Sequence, residues 1–310
     1  MTNSVTREAR GKMNDELRTG LIALRDGQDR KARIGFVETG VPSVRLFWAD
    51  APVARAPLSY ASGIAIIVSG RKIGFFDDRR IEYGPGQYLA VGLPLYFECE
   101  TVASPEEPLI GIFLSADPED LRSLAAELSE HDLPTLPPQS GLGIEPLAMP
   151  GSMGDALARL ARQLCSPAEA AVLSPGTLRE ILFHALLDRH GRALLSQLHG
   201  NRPEARIARV LRDLDGTGEA FAGVSDLARA TGMSAASFHR HFKAVTGLPP
   251  LQYLKRKRLM QAKSLLVHNG MGVAETAHAV GYASPAQFSR DFSAFFGLPP
   301  SLAAETAYPA

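Results

Sequence analysis

The chain is poor in the residues that build metal centres and covalent cross-links. Among 310 residues there are two cysteines, Cys99 and Cys165, far apart in sequence. Such a pair supports neither a disulfide framework nor a thiolate zinc site. The first histidine is His131, which excludes a histidine-based metal site in the residues before it. No run of eighteen apolar residues occurs, so no transmembrane helix is expected. Residues 1–20 are charged and polar and lack the apolar stretch of a signal peptide. A Gly-x-Ser-x-Gly elbow and a phosphate-binding loop are missing too. These absences point to a cytoplasmic protein that is not an enzyme and carries no cofactor or metal.

Net charge is also lacking, with 33 basic against 33 acidic residues. The balance hides an asymmetry. Residues 201–310 hold 13 Lys and Arg against 8 Asp and Glu, while residues 1–200 hold 20 against 25. A surplus of five positive charges in the C-terminal third is the footprint of a polyanion-binding module.

What the chain does have is a repeat. Ser234/Ser284, Phe238/Phe288, Arg240/Arg290, Phe242/Phe292 and Gly247/Gly297 each lie 50 residues apart, the mark of a duplicated structural unit. In each unit a serine stands where a helix N-cap belongs, and Gly-Leu-Pro-Pro ends the helix. Phe238, Phe242 and Val245 share one helical face, as do Phe288, Phe292 and Phe295. Ala236, His239, Arg240 and Lys243 fall on the opposite face of the first helix. Ala286, Ser289, Arg290 and Ser293 do so on the second. Short apolar-patterned segments, Val224–Ala230 and Val273–Val280, precede the two helices. Helix, glycine turn, helix predicts a helix-turn-helix, whose second helix enters the major groove. Between the units, Gln252–Val267 reads as one basic helix about 24 Å long. With a body at each end, it sets the recognition helices about 34 Å apart, one DNA turn. His239 and His241 are two residues apart, on different faces of a helix, so they are not read as a metal pair.

Upstream the period changes. Val44–Trp48, Gly63–Ser69, Lys72–Phe76, Gln87–Gly92, Tyr96–Val102 and Leu109–Leu114 read as short strands separated by Gly, Pro and Asp turns. Six strands at this spacing predict a sandwich or small barrel. Glu98 and Glu100 alternate with Phe97 and Cys99 and are read as a solvent face. Helices are expected around Asn14–Arg25, from Asp117 to about Glu130, and over Ser152–Leu164, Pro175–Arg189 and Pro203–Leu214. The proline-rich segment His131–Pro150 is read as a linker.

The paired units, with Gly281-Tyr282-Ala283-Ser284, Phe288-Ser289-Arg290-Asp291-Phe292 and Phe295-Phe296-Gly297-Leu298-Pro299 in the second, resemble the AraC/XylS family of bacterial transcription regulators over roughly Val224–Leu302. One departure is Ser301-Leu302, where an aromatic and a basic residue are expected. The segment Gly70-Arg71-Lys72-Ile73-Gly74, then Tyr83-Gly84-Pro85-Gly86-Gln87-Tyr88-Leu89 and Leu93-Pro94, is similar to the cupin-like effector domain of one subfamily. Leu178–Leu182 and Arg189-His190-Gly191 fit the same subfamily's helical region.

The resemblance implies an α+β protein. An N-terminal arm (1–40) leads into a cupin-like effector-binding β-barrel (41–135) with flanking helices. A helical dimerisation or linker region (136–200) joins this to an all-α double helix-turn-helix domain (201–310). It also implies base contacts at Ala236, His239 and Arg240, and at Pro285, Ala286, Gln287, Ser289 and Arg290. Arginine pairs bidentately with guanine, so Arg240 and Arg290 are the expected base readers. Ser234 and Ser284 at the caps, with Lys243, Lys255 and Arg256, are expected to hold phosphates.

Trp48, Tyr60, Tyr88, Tyr96 and Phe113 are candidates for lining an effector pocket; ordinary core packing is the commoner use of such residues. Cys99 is either a sensing thiol or a small buried hydrophobe. The expected partners are double-stranded DNA, a small-molecule effector, and RNA polymerase if the protein activates, with the chain acting as monomer or homodimer. The alternatives are a ligand-independent repressor whose barrel only dimerises and a metal-free barrel enzyme fused to a DNA-binding tail.

Overall fold

The computed structural model describes residues 16–27, 33–76, 79–129, 144–188, 194, 203–216 and 223–305. The first part of the expected arm, residues 131–143 of the expected linker, and Arg189-His190-Gly191 lie outside them.

The N-terminal half is two antiparallel sheets. Strands are β1 (Ile34–Glu38), β2 (Val44–Ala49), β3 (Val53–Tyr60), β4 (Gly63–Ser69), β5 (Arg71–Phe76), β6 (Arg79–Tyr83), β7 (Gln87–Val91), β8 (Leu95–Val102), β9 (Leu109–Ser115) and β10 (Leu147–Ala148). One sheet runs β1-β2-β9-β4-β7-β10 and the other β3-β8-β5-β6. The inner faces meet over Phe47, Tyr60, Phe76, Phe97 and Phe113. This is the expected cupin-like β architecture.

The larger sheet is covered on both faces, so all seven residues of β4 are buried. Its outer face packs under α1 (16–26), α2 (Pro118–Ser129), α3 (Gly151–Gln163) and α5 (Ser174–Leu186), with the short α4 (Pro167–Val172) beside them. Leu17 and Leu21, one helical turn apart, are fully buried there. A Cβ at Gly20 would come within 3.1 Å of the Ala161 side chain, so glycine lets α1 approach α3 closely. The smaller sheet keeps one face towards water. Along β8 buried Leu95, Phe97, Cys99 and Thr101 alternate with half-exposed Tyr96, Glu98 and Glu100.

The sheet starts earlier than the sequence suggests. β1 lies inside the stretch expected as an arm, held by the pairing of Ile34 with Ala49 through Glu38 with Arg45. β3 and β6 also escape the sequence pattern. β3 contains Pro57 and few β-branched residues, and β6 carries Arg79, Arg80 and Glu82. Cross-strand pairing holds both in place despite this composition, helped in β6 by the burial of Ile81 and Tyr83.

The C-terminal half is helical. α6 (Pro203–Gly216), α7 (Val224–Ala230) and α8 (Ala235–Thr246) form the first unit; α10 (Val273–Ala279) and α11 (Pro285–Phe296) form the second. α9 (Pro250–His268) joins them, and a 3-10 turn, Pro300–Glu305, closes the second. At 19 residues α9 is about 28 Å long. Each unit has its own core. Ile207, Leu211, Leu227, Phe238, Phe242 and Tyr253 form one. Leu259, Leu266, Ala277, Phe288 and Phe292 belong to the other.

Candidate nucleic-acid interface and effector cavity

The recognition helices are built alike. Ser234 and Ser284 are the N-caps, and their hydroxyls accept from the amides of Ser237 and Gln287 at 3.4 Å. Gly247 and Gly297 end the helices at φ 76° and 75°, a left-handed conformation that glycine adopts without strain. Phe238, Phe242, Phe288 and Phe292 are at most 1% exposed. That burial turns the opposite faces outward. Ala236, His239, Arg240 and Lys243 are exposed on the first helix. Ala286, Gln287 and Arg290 are exposed on the second, with Pro285 and Ser289 half-buried beside them. The Ser289 hydroxyl already donates to the Pro285 carbonyl at 2.9 Å.

The cations expected on the DNA backbone divide. The Lys255 ammonium pairs with Asp291 at 2.8 Å, tying α9 to the second recognition helix. Arg256 is half-buried, and its guanidinium donates to the Tyr96 carbonyl of the barrel at 3.1 Å. In this arrangement Arg256 is therefore a contact between domains. Three neighbours complete that junction. The Tyr253 hydroxyl donates to the Pro94 carbonyl at 3.0 Å. Its ring meets Tyr96 edge-on, with centroids 4.9 Å apart. Leu93 enters the core of the first unit. Near the other end of α9, the rings of Phe36 and His268 meet edge-on at 5.9 Å.

Between the sheets lies a cavity of about 120 Å³. Of the candidates, Tyr60, Cys99 and Phe113 line it, and Trp48 borders it while packing in the core on the helical side. Two candidates are elsewhere. Tyr88 is buried under the helices because β7 turns it to the outer face of the larger sheet. Tyr96 lies on the outer face of β8, against Tyr253. The period of two along each strand decides both cases.

Sequence reasoning missed Lys72. It is 7% exposed, lines the cavity, and holds its ammonium 4.8 Å from the Phe47 ring and 5.7 Å from that of Tyr60. The signal was available: Lys72, Gly74 and Phe76 alternate onto one face of β5. The Tyr60 and Tyr83 hydroxyls lie 2.9 Å apart, and burial raises both phenols. Burial likewise pushes the Cys99 thiol up, against the lowering influence of Lys72. A raised thiol favours the inert buried hydrophobe over a reactive thiolate. Among the described residues no cluster of His, Cys, Asp and Glu could hold a metal, and no helix is long and apolar enough to cross a membrane.

Two family models match this arrangement. "AraC-type transcriptional regulator N-terminus" covers residues 40–193 and "Helix-turn-helix domain" covers 227–305, about three quarters of the chain together. The chain belongs to the AraC family of transcriptional regulators. As an AraC-type regulator it is a DNA-binding protein with an N-terminal effector domain. It is 28% identical over 204 residues to the virulence regulon transcriptional activator VirF of Yersinia enterocolitica, covering 63% of this chain and 70% of that protein. Against the transcriptional activator RhaS of Klebsiella pneumoniae it is 33% identical over 122 residues, 39% of this chain and 44% of RhaS. The fold is similar to that of ToxT from Vibrio cholerae, solved with an unsaturated fatty acid bound. The TM-score is 0.56 at 11% identity, over 88% of this chain and 96% of ToxT.

Proposed function

We propose that this AraC-type regulator is controlled by a small molecule in the barrel cavity, and that the cavity communicates with DNA binding through β8. One observation carries the reading. β8 contributes Cys99 and Thr101 to the cavity wall and Tyr96 to the junction with α9. A ligand that moves β8 changes how the barrel holds the DNA-binding helices, and so shifts the population of DNA-productive arrangements. The fatty acid named for the ToxT structure supports ligand control on this architecture.

Arg240 and Arg290 read bases, with Ala236, His239, Pro285, Ala286, Gln287 and Ser289 around them. Ser234, Ser284 and Lys243 hold phosphates, joined by Lys255 and Arg256 once their present contacts open. The protein acts in the cytoplasm without catalysis, as monomer or homodimer through the helices after the barrel. It contacts RNA polymerase if it activates.

The test is DNA binding by the full chain to a site selected from random sequence, titrated against salt. A steep fall of log affinity with log salt is expected. No selected site, or a flat slope, would sink the DNA-reading assignment.

A further inference from the structure

Resting on the effector reading above, we infer that the cavity takes a small apolar anion, a single ring or ring-sized group bearing one carboxylate, whose charge meets Lys72. The lining carries cations and no acid. Lys72 lies inside, Arg45 stands exposed at the edge with its guanidinium 5.4 Å from the Phe36 ring, and neither Asp nor Glu lines the cavity. Lys72 is the unusual group. Its ammonium is withdrawn from water, yet it forms no ion pair with any described residue. The faces of Phe47 and Tyr60 stabilise it in part. A buried cation without a carboxylate is costly, and an anion arriving beside it removes much of that cost.

The rest of the wall sets the other half of the ligand. Phe47, Tyr60, Phe113, Val53 and Leu58 make it apolar, and the Tyr60 and Thr101 side chains offer hydroxyls. At about 120 Å³ the space approaches that of an engineered cavity, about 150 Å³, that holds one benzene molecule. A long acyl chain does not fit inside it. Charge, apolar wall and volume therefore agree on one class.

The experiment uses the full chain and matched probes. Benzoate, phenylacetate and 3-phenylpropionate are each compared with the corresponding amide, and hexadecenoate is the long-chain arm. Dissociation constants come from calorimetry and thermal midpoints from scanning. At least one acid should bind about 10- to 100-fold tighter than its amide, the effect of one hydrogen bond to a charged partner. Lys72→Gln should erase that preference, and Lys72→Arg should keep it. Where Lys72→Gln fails to fold, the acid–amide comparison in the unmodified protein decides. Amides binding as well as acids, or a preference that survives Lys72→Gln, would overturn the anion assignment and leave the effector reading standing. Hexadecenoate binding tighter than every ring acid would overturn the size limit. If no acid, amide or long chain binds, both the inference and the effector reading fall.

Discussion

Lys263 offers a quantitative test of how the second DNA-binding unit is held together. It lies on α9 beneath the second recognition helix, 7% exposed, with its ammonium 5.3 Å from the Phe296 ring. Burial pulls the group down from 10.5 to about 8. At 1.36 kcal/mol per pH unit, holding it charged at neutral pH costs the native state up to about 3 kcal/mol. The folded pKa lies below the unfolded one, so between about pH 8 and 10.5 the unfolded chain binds more protons and stability rises with pH. Below about pH 8 the full cost is present. Lys263→Met keeps the length of the side chain and removes the charge. It is expected to stabilise the unit by about 1–3 kcal/mol at pH 7 and to flatten the rise towards pH 10. Scanning calorimetry of the full chain and the variant at pH 7, 8.5 and 10 measures both. A variant less stable at pH 7, or one whose pH profile parallels that of the parent, would refute the claim that a desolvated charge limits this unit.

Three further outcomes are expected. Arg240→Ala and Arg290→Ala should each relax preference at one base position by about 1–3 kcal/mol and leave random-DNA binding nearly intact; equal weakening on both would show a phosphate contact instead. Tyr253→Phe should leave the Pro94 carbonyl unsatisfied, cost about 1–3 kcal/mol, and loosen the barrel from α9. An unchanged thermal midpoint and unchanged radius in solution scattering would rule that out. Gly297→Ala forces a side chain into φ 75° and should destabilise the second unit by about 1 kcal/mol, read as a lower calorimetric midpoint; no loss would mean the cap relaxes freely.

The double helix-turn-helix was legible in the sequence because its signals are local. The serine caps, the phenylalanines at i and i+4, and the glycine stops act within one helix, and the 50-residue repeat states them twice. The absence of histidine before His131 was equally plain. The strands of the barrel were visible where valine, isoleucine and aromatics are dense, and invisible in β1, β3 and β6, which cross-strand partners hold in place. Strand alternation sorts residues onto two faces in the sequence, and tertiary structure decided what each face meets. It sent Tyr60 and Phe113 to the cavity, Tyr88 under the helices and Tyr96 to the DNA-binding half. It also drew Lys72 inward and bent Arg256 back onto the barrel. Their environments depend on partners up to 160 residues away in the chain, and no local pattern encodes a contact at that distance.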